Sequence, residues 1–149
     1  MQFQQLGNTG VFVSRLCFGA MTFGGVSTVY EAVGGLAQTD ADKLVEHALE
    51  AGVNFFDTAN VYAEGESETI LARALGPRRK DVVIATKVYG RVAPGANDVG
   101  LSRLHIIQQA EASLKRLNTD YIDLYQIHGF DQLTPLEETL RAPAPWPQS

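Results

Sequence analysis

One cysteine, Cys17, stands in a chain of 149 residues. Without a second thiol it closes no intramolecular disulfide, no paired Cys/His spacing offers a zinc site, and a reducing, cytoplasmic setting is expected. Positive charge is scarce as well. Twelve Lys+Arg stand against 17 Asp+Glu, a net charge of −5, so the basic footprint for nucleic acid or an anionic membrane is missing. No apolar run approaches the roughly 18 residues of a membrane span, and MQFQQLGNTG at the start has neither a basic n-region nor an apolar h-region. Neither Gly24-Gly25 nor Gly34-Gly35 completes a GxGxxG after a strand, which leaves a Rossmann or phosphate loop unsupported. What is present, 45% hydrophobic and 19% charged residues, is the profile of one globular domain.

Along the chain, strand and helix patterns alternate. FQQLGNTGVFVSR predicts a β-hairpin around Gly7-Asn8-Thr9-Gly10. LCFGAMTF (16–23) reads as a buried strand, followed by a long loop to Gln38. Thr39 or Asp40 can cap a helix through ADKLVEHALEA, with Leu44, Val45, Ala48 and Leu49 inward and Gly52 at its left-handed C-terminal position. A second strand (53–57) leads through TANVYAEGES into the helix ETILARALG, stopped by Gly76-Pro77. VVIATKV (82–88) is a third strand, rich in β-branched residues. Ser102 caps a helix to about Leu117 carrying Ile106, Ala110, Leu114 and Leu117 on one stripe. YIDLYQIH (121–128) is a fourth strand, and PLEETLRA begins a fourth helix with Pro135 in its first turn.

Strands apolar on both faces need cover from both sides, so the expected class is α/β: parallel (β/α) units behind an N-terminal β-hairpin. Thirty residues separate Asp57 from Lys87 and 41 separate Lys87 from His128, close to the roughly 31 per unit of an eight-unit TIM barrel. About four of the eight units are present. Residues 1–142 form this half-barrel. Residues 143–149 form a Pro-rich tail that breaks the fourth helix just where Leu136 and Leu140 predict another apolar position. A reading-frame shift or truncation near Arg141 explains that break better than an ordinary flexible terminus. The first and fourth strands would then expose open edges, and self-association is expected.

Three strands end in ionisable residues, Asp57, Lys87 and His128, at the rim where barrel active sites form. Each alone could be a cap, a solvated charge or a core histidine; the coincidence of all three is harder to dismiss. Tyr62 lies five residues past Asp57, near enough for its phenol to fold back over the strand end. Tyrosine has a reference pKa near 10, and lowering it by two to three units takes roughly 3–4 kcal/mol. A lysine ammonium about 4 Å away contributes near 4 kcal/mol at an effective dielectric of 20 and only about 1 kcal/mol in water, so burial decides. Asp57 would hold Lys87 protonated and His128 would orient a carbonyl oxygen. Proton delivery to a carbonyl needs a hydride partner, and a nicotinamide fits a site without metal ligands.

LGNTGVFVSRLCFGAMTFGG, GVNFFDTANVY, GESETILARAL, VVIATKV, ASLKRLNTDYIDLYQIH and PLEETLRA, in that order, resemble successive N-terminal segments of the aldo-keto reductase family over residues 1 to about 142. The resemblance implies a (β/α)8 barrel that reduces aldehydes and ketones with NADPH. It implies Tyr62 as general acid, Lys87 and Asp57 as the groups that tune it, and His128 as the carbonyl-orienting residue. Gly19, Ala20 and Met21 match the strand end beside the nicotinamide, Asp57 approaches its ribose, and Ala20 departs from the threonine often found there. The family's remaining cofactor contacts lie in the barrel's second half, so a weakly active or inactive chain is expected. The alternative is a non-catalytic half-barrel acting through self-association or a partner chain; a channel-associated subunit rests on family membership alone. Cys17 reads as packing, His47 and His105 as solvent- or loop-facing, and Arg78-Arg79-Lys80 as a solvated connection.

Overall fold

The computed structural model describes residues 1–25, 32 and 34–142. The expected long loop lies in part, and the Pro-rich tail wholly, outside the described residues. β1 (Phe3–Gln5) and β2 (Phe12–Ser14) form the antiparallel hairpin, with Phe3 opposite Ser14. Asn54 docks it onto the main sheet: the Ser14 amide donates to Asn54 Oδ1 at 2.6 Å, and Asn54 Nδ2 donates to the Phe12 carbonyl at 3.1 Å.

The main sheet has four parallel strands in the order β3 (Phe18–Gly19), β4 (Phe55–Asp57), β5 (Val83–Val88) and β6 (Leu124–Ile127). Register sets Gly19 beside Asp57, Asp57 beside Ala85, and Lys87 beside Gln126. Between the strands run α1 (Gln38–Glu50), α2 (Glu66–Leu75) and α3 (Arg103–Leu117); α4 (Leu136–Arg141) follows β6. The strands are shorter than the apolar runs that announce them, because pairing ends where a neighbour ends; β3 keeps two residues, with an isolated bridge from Phe23 to Leu36.

Alternation along the strands splits the sheet into a packed convex face and an open concave one. On the convex face Phe56 and Ile84 meet Val45 of α1 and Ile70, Leu71 and Leu75 of α2 in the main core. Cys17, expected as packing, is exposed. It shares the concave face with Gly19, and the described residues do not cover that face. Partial desolvation of its sulfur, then the Asp57 carboxylate, push the thiol up to about 11 against the Lys87 ammonium, so it remains a thiol at neutral pH.

The helices also depart from their stripes. α1 begins at Gln38 with Ala37 as N-cap and no side-chain cap, and its inward face is Ala41, Val45 and Ala48, which leaves Leu44 43% exposed. At α4 the inward residues are Thr139 and, as its C-cap, Ala142, while Leu136 and Leu140 face out at 59% and 68% exposure. The expected apolar stripe there finds no neighbouring element to pack on among the described residues. Pro135 is the N-cap of that helix and not its first turn. Gly52 does hold the left-handed position after α1, at φ +84°.

Ser102 caps α3 as its spacing requires, accepting from the His105 amide at 3.2 Å. Ser102→Ala is expected to cost about 1 kcal/mol, read as a lower urea midpoint at unchanged slope; an unchanged midpoint would mean that the cap is idle.

Candidate active site

Asp57 closes β4, Lys87 is the penultimate residue of β5, and His128 follows β6 with its amide donating to the Val88 carbonyl at 2.9 Å. Tyr62 opens a 3-10 turn, Tyr62–Gly65, that curls back over these ends. The four candidates come together around the lysine. Lys87 Nζ donates to the Asp57 carboxylate, to the Thr58 carbonyl at 2.8 Å and to the Tyr62 hydroxyl at 3.4 Å. His128 meets the Tyr62 ring edge-on, their centroids 5.6 Å apart.

Parallel register explains the convergence. Asp57 lies level with Ala85, and Lys87 stands two residues further along β5 on the same concave face, so its long side chain reaches back over the small Ala85 to the carboxylate. Gln126, absent from the sequence-derived site, donates from Nε2 to the second Asp57 oxygen at 3.2 Å. Its position in β6, two residues before His128, was the available signal. Asp57 is thus held from both sides, by an ammonium and by an amide.

His128 has a pKa lowered from its ordinary 6.5, first by burial and then by the Lys87 ammonium, against the pull of Asp57. A neutral imidazole is the form that can donate one hydrogen bond to an oxygen without charge repulsion from Lys87. His105, expected to face loop or solvent, is fully buried in the first turn of α3, and burial lowers its pKa against the Asn97 carbonyl and Asp98. Both histidines are therefore expected to make stability fall in acid. Well above pH 6.5 each is neutral folded or unfolded; as pH drops through 6.5 the unfolded chain binds protons first, and stability is lost until pH passes the lowered folded values. Urea midpoints at pH 7.5 and 5.5 check this, and His105→Gln should flatten most of the difference.

The strand-end stretch Gly19-Ala20-Met21 is divided. Gly19 lies exposed on the concave face with nothing within 4 Å of where a Cβ would stand, and Met21 is 50% exposed. Ala20 turns into the core, its amide donating to the Asp57 carbonyl at 2.8 Å. An open glycine ledge beside Asp57 fits a flat ring carrying a ribose, so Gly19, Met21 and Asp57 could hold the nicotinamide end of a dinucleotide.

Arg79 is not the solvated charge expected. It pairs with Asp123 at 2.7 Å and stacks 4.2 Å from the Tyr121 ring centroid, tying the entrance of β5 to that of β6. His47 is surface-exposed as expected.

Parallel βα units with ionisable groups gathered at the strands' C-terminal rim are the arrangement of a (β/α) barrel. The Aldo/keto reductase family model matches residues 15–143, and the chain belongs to that family. It is 47% identical over 146 residues to a probable voltage-gated potassium channel subunit beta of Arabidopsis thaliana, a match covering 95% of this chain and 42% of that protein. It is 40% identical over 167 residues to the aldo-keto reductase AMT2 of Alternaria alternata, covering 94% and 44%. Among solved structures, the aldo-keto reductase AKR11C1 from Bacillus halodurans in its holo form superposes with a TM-score of 0.81 at 38% identity, covering 95% of this chain and 45% of that one. The chain thus spans less than half the length of the relatives it matches. Its fold is a partial (β/α)8 barrel behind an N-terminal hairpin. No helix among the described residues is long and apolar enough to cross a membrane.

Proposed function

We propose that this chain carries the proton-delivering part of an NADPH-dependent carbonyl reductase of the cytoplasm, acting on aldehydes or ketones. The observation that supports it best is the single lysine ammonium in contact with both the Asp57 carboxylate and the Tyr62 hydroxyl at the strand ends. Asp57, steadied by Gln126, keeps Lys87 pointed at the phenol. Lys87 stabilises the phenolate left behind when Tyr62 gives its proton to the substrate oxygen. His128, neutral and edge-on to Tyr62, donates a hydrogen bond to the same oxygen and fixes the carbonyl's direction. NADPH, when bound against Gly19, Met21 and Asp57, supplies the hydride. The Ala20 side chain is buried, so only its backbone can contribute.

Aldehyde-dependent NADPH oxidation, assayed beside Tyr62→Phe and Lys87→Met, tests the reading. Turnover that disappears in both variants supports it; turnover indifferent to both overturns it.

A second reading, a non-catalytic half-barrel that pairs with another copy, draws on a different observation. Ile127, Phe130, Leu133, Leu136 and Leu140, all on or after β6, are 55% to 94% exposed, and β6 is an edge strand among the described residues. Edges and apolar surface of this kind invite pairing. Light scattering is expected to show dimers or larger species at micromolar concentration, and Leu133→Glu with Leu140→Glu should shift them toward monomer. A wild-type monomer stable across that range would contradict the expectation. Saturable fluorescence quenching by NADPH would favour the reductase reading over this one.

A further inference from the structure

Tyr62 reaches Lys87 on a turn that is poorly stabilised from within. Ala63, Glu64 and Gly65 have φ of +46°, +57° and +92°, three consecutive left-handed residues of which two carry side chains that disfavour the region. Such a turn persists only where neighbouring structure pins it. The next three residues, Glu66-Ser67-Glu68, form the first turn of α2, and each grips a different part of the site's scaffold.

Glu66 Oε2 accepts from the Gly25 amide at 2.8 Å, beyond the end of β3. Gly24 leaves room for it: a Cβ there would stand 2.7 Å from the same oxygen. Ser67 Oγ donates to the Ala20 carbonyl at 2.6 Å, which uses its one proton, and so accepts from Thr58 Oγ1 at 2.9 Å. Ala20 and Thr58 adjoin Gly19 and Asp57. Glu68 is fully buried; it accepts from Thr86 Oγ1, the neighbour of Lys87, at 2.5 Å, and from Arg116 Nε of α3 at 2.6 Å. Arg116 in turn lies under the strained turn, where a Cβ on Gly65 would stand 2.7 Å from its Cδ.

We propose that Glu66, Ser67 and Glu68 are positioning residues for Tyr62, and that the Thr86–Glu68–Arg116 link sets the distance between the phenol and the Lys87 ammonium. Arg116 touches the turn from below, and its partner Glu68 holds Thr86 on the strand bearing the lysine, so a shift in the ion pair moves the phenol relative to its target. The catalytic meaning of this link rests on reading Tyr62 as the proton donor. Its geometry does not, and the two fail separately: activity indifferent to Tyr62→Phe would remove the donor and leave the measurement below intact.

The test uses the full chain with its tyrosine rings isotopically labelled, Tyr62 being assigned by Tyr62→Phe, and reads nuclear Overhauser contacts from Tyr62 to His128 and to the Lys87 side chain. Glu68→Gln and Arg116→Lys are compared with Arg79→Lys, which weakens an ion pair elsewhere in the fold. All are measured well below their unfolding transitions. The Tyr62 contacts are expected to weaken several-fold and its ring signals to shift in Glu68→Gln and Arg116→Lys, and to stay in place in Arg79→Lys even where that variant melts earlier. If Glu68→Gln does not fold, Arg116→Lys, which keeps the cation, decides alone. Lower melting temperatures with Tyr62 contacts unchanged in the first two variants, or an equal change in Arg79→Lys, would overturn the proposal.

Discussion

Assayed alone with NADPH and a reactive aldehyde, a polypeptide of these 149 residues is expected to turn over at least about a hundred-fold more slowly than a reductase that grips its whole cofactor, because a misplacement of about 1 Å at the reacting atoms already costs that much. The concave face carrying the site is open. The Lys87 and Asp57 side chains retain 14% and 28% exposure, and Met21 retains 50%. Water there lowers the Coulomb attraction of a charge pair at 4 Å from about 4 kcal/mol toward about 1 kcal/mol. On the proposed reading Gly19, Met21 and Asp57 would grip only one end of a dinucleotide, and a hydride must be held within about 3–3.5 Å of its acceptor. Residual turnover should vanish in Tyr62→Phe. Turnover at an ordinary enzyme's rate, abolished by Tyr62→Phe, would instead show that these residues suffice, through copies that close a pocket between them.

Arg116→Ala is expected to destabilise the fold by about 3 kcal/mol or more, the usual cost of stripping one partner from a buried ion pair. Glu68 has no exposure, and its carboxylate would be left with the Thr86 hydroxyl as its one hydrogen-bond donor among the described residues. For a domain with roughly 5–15 kcal/mol of stability that is a large fraction. The double variant Glu68→Leu/Arg116→Met should recover most of the loss, since an apolar pair of similar volume avoids the desolvation of both ions. Urea unfolding followed by circular dichroism measures both. A single variant within about 0.5 kcal/mol of wild type would mean that water reaches the carboxylate from the Arg116 side.

Asp57, Lys87 and His128 were legible as candidates because strand ends are marked by a change from apolar to ionisable residues and parallel strands bring corresponding ends together, and Tyr62 because it stands five residues past one of those ends. Gln126 and the Glu66-Ser67-Glu68 turn were not. Serine and glutamate in the first turn of a helix are common for reasons of capping and dipole alone, and only packing against Ala20, Thr58, Thr86 and Arg116 distinguishes these. Leu44, Leu136 and Leu140 misled for the opposite reason. Helical spacing names a stripe, but the neighbouring element decides which side of the stripe is covered.

From the order of its elements alone the chain determined its class: a hairpin, then strands of β-branched and apolar residues alternating with capped helices, a pattern that only parallel βα units satisfy. The local rules behind it act within a few residues, at Ser102 as a cap, at Gly52 as a left-handed stop, and at Val83–Val88 as a strand. Tertiary structure alone decided what those rules do not reach. The register that lets Lys87 pass over Ala85 to Asp57, the burial of His105 and Glu68, the exposure of Cys17, and the pinning of the Tyr62 turn all depend on groups separated by tens of residues in sequence. Local propensity carries no term for such distances; the packing of one layer on another does.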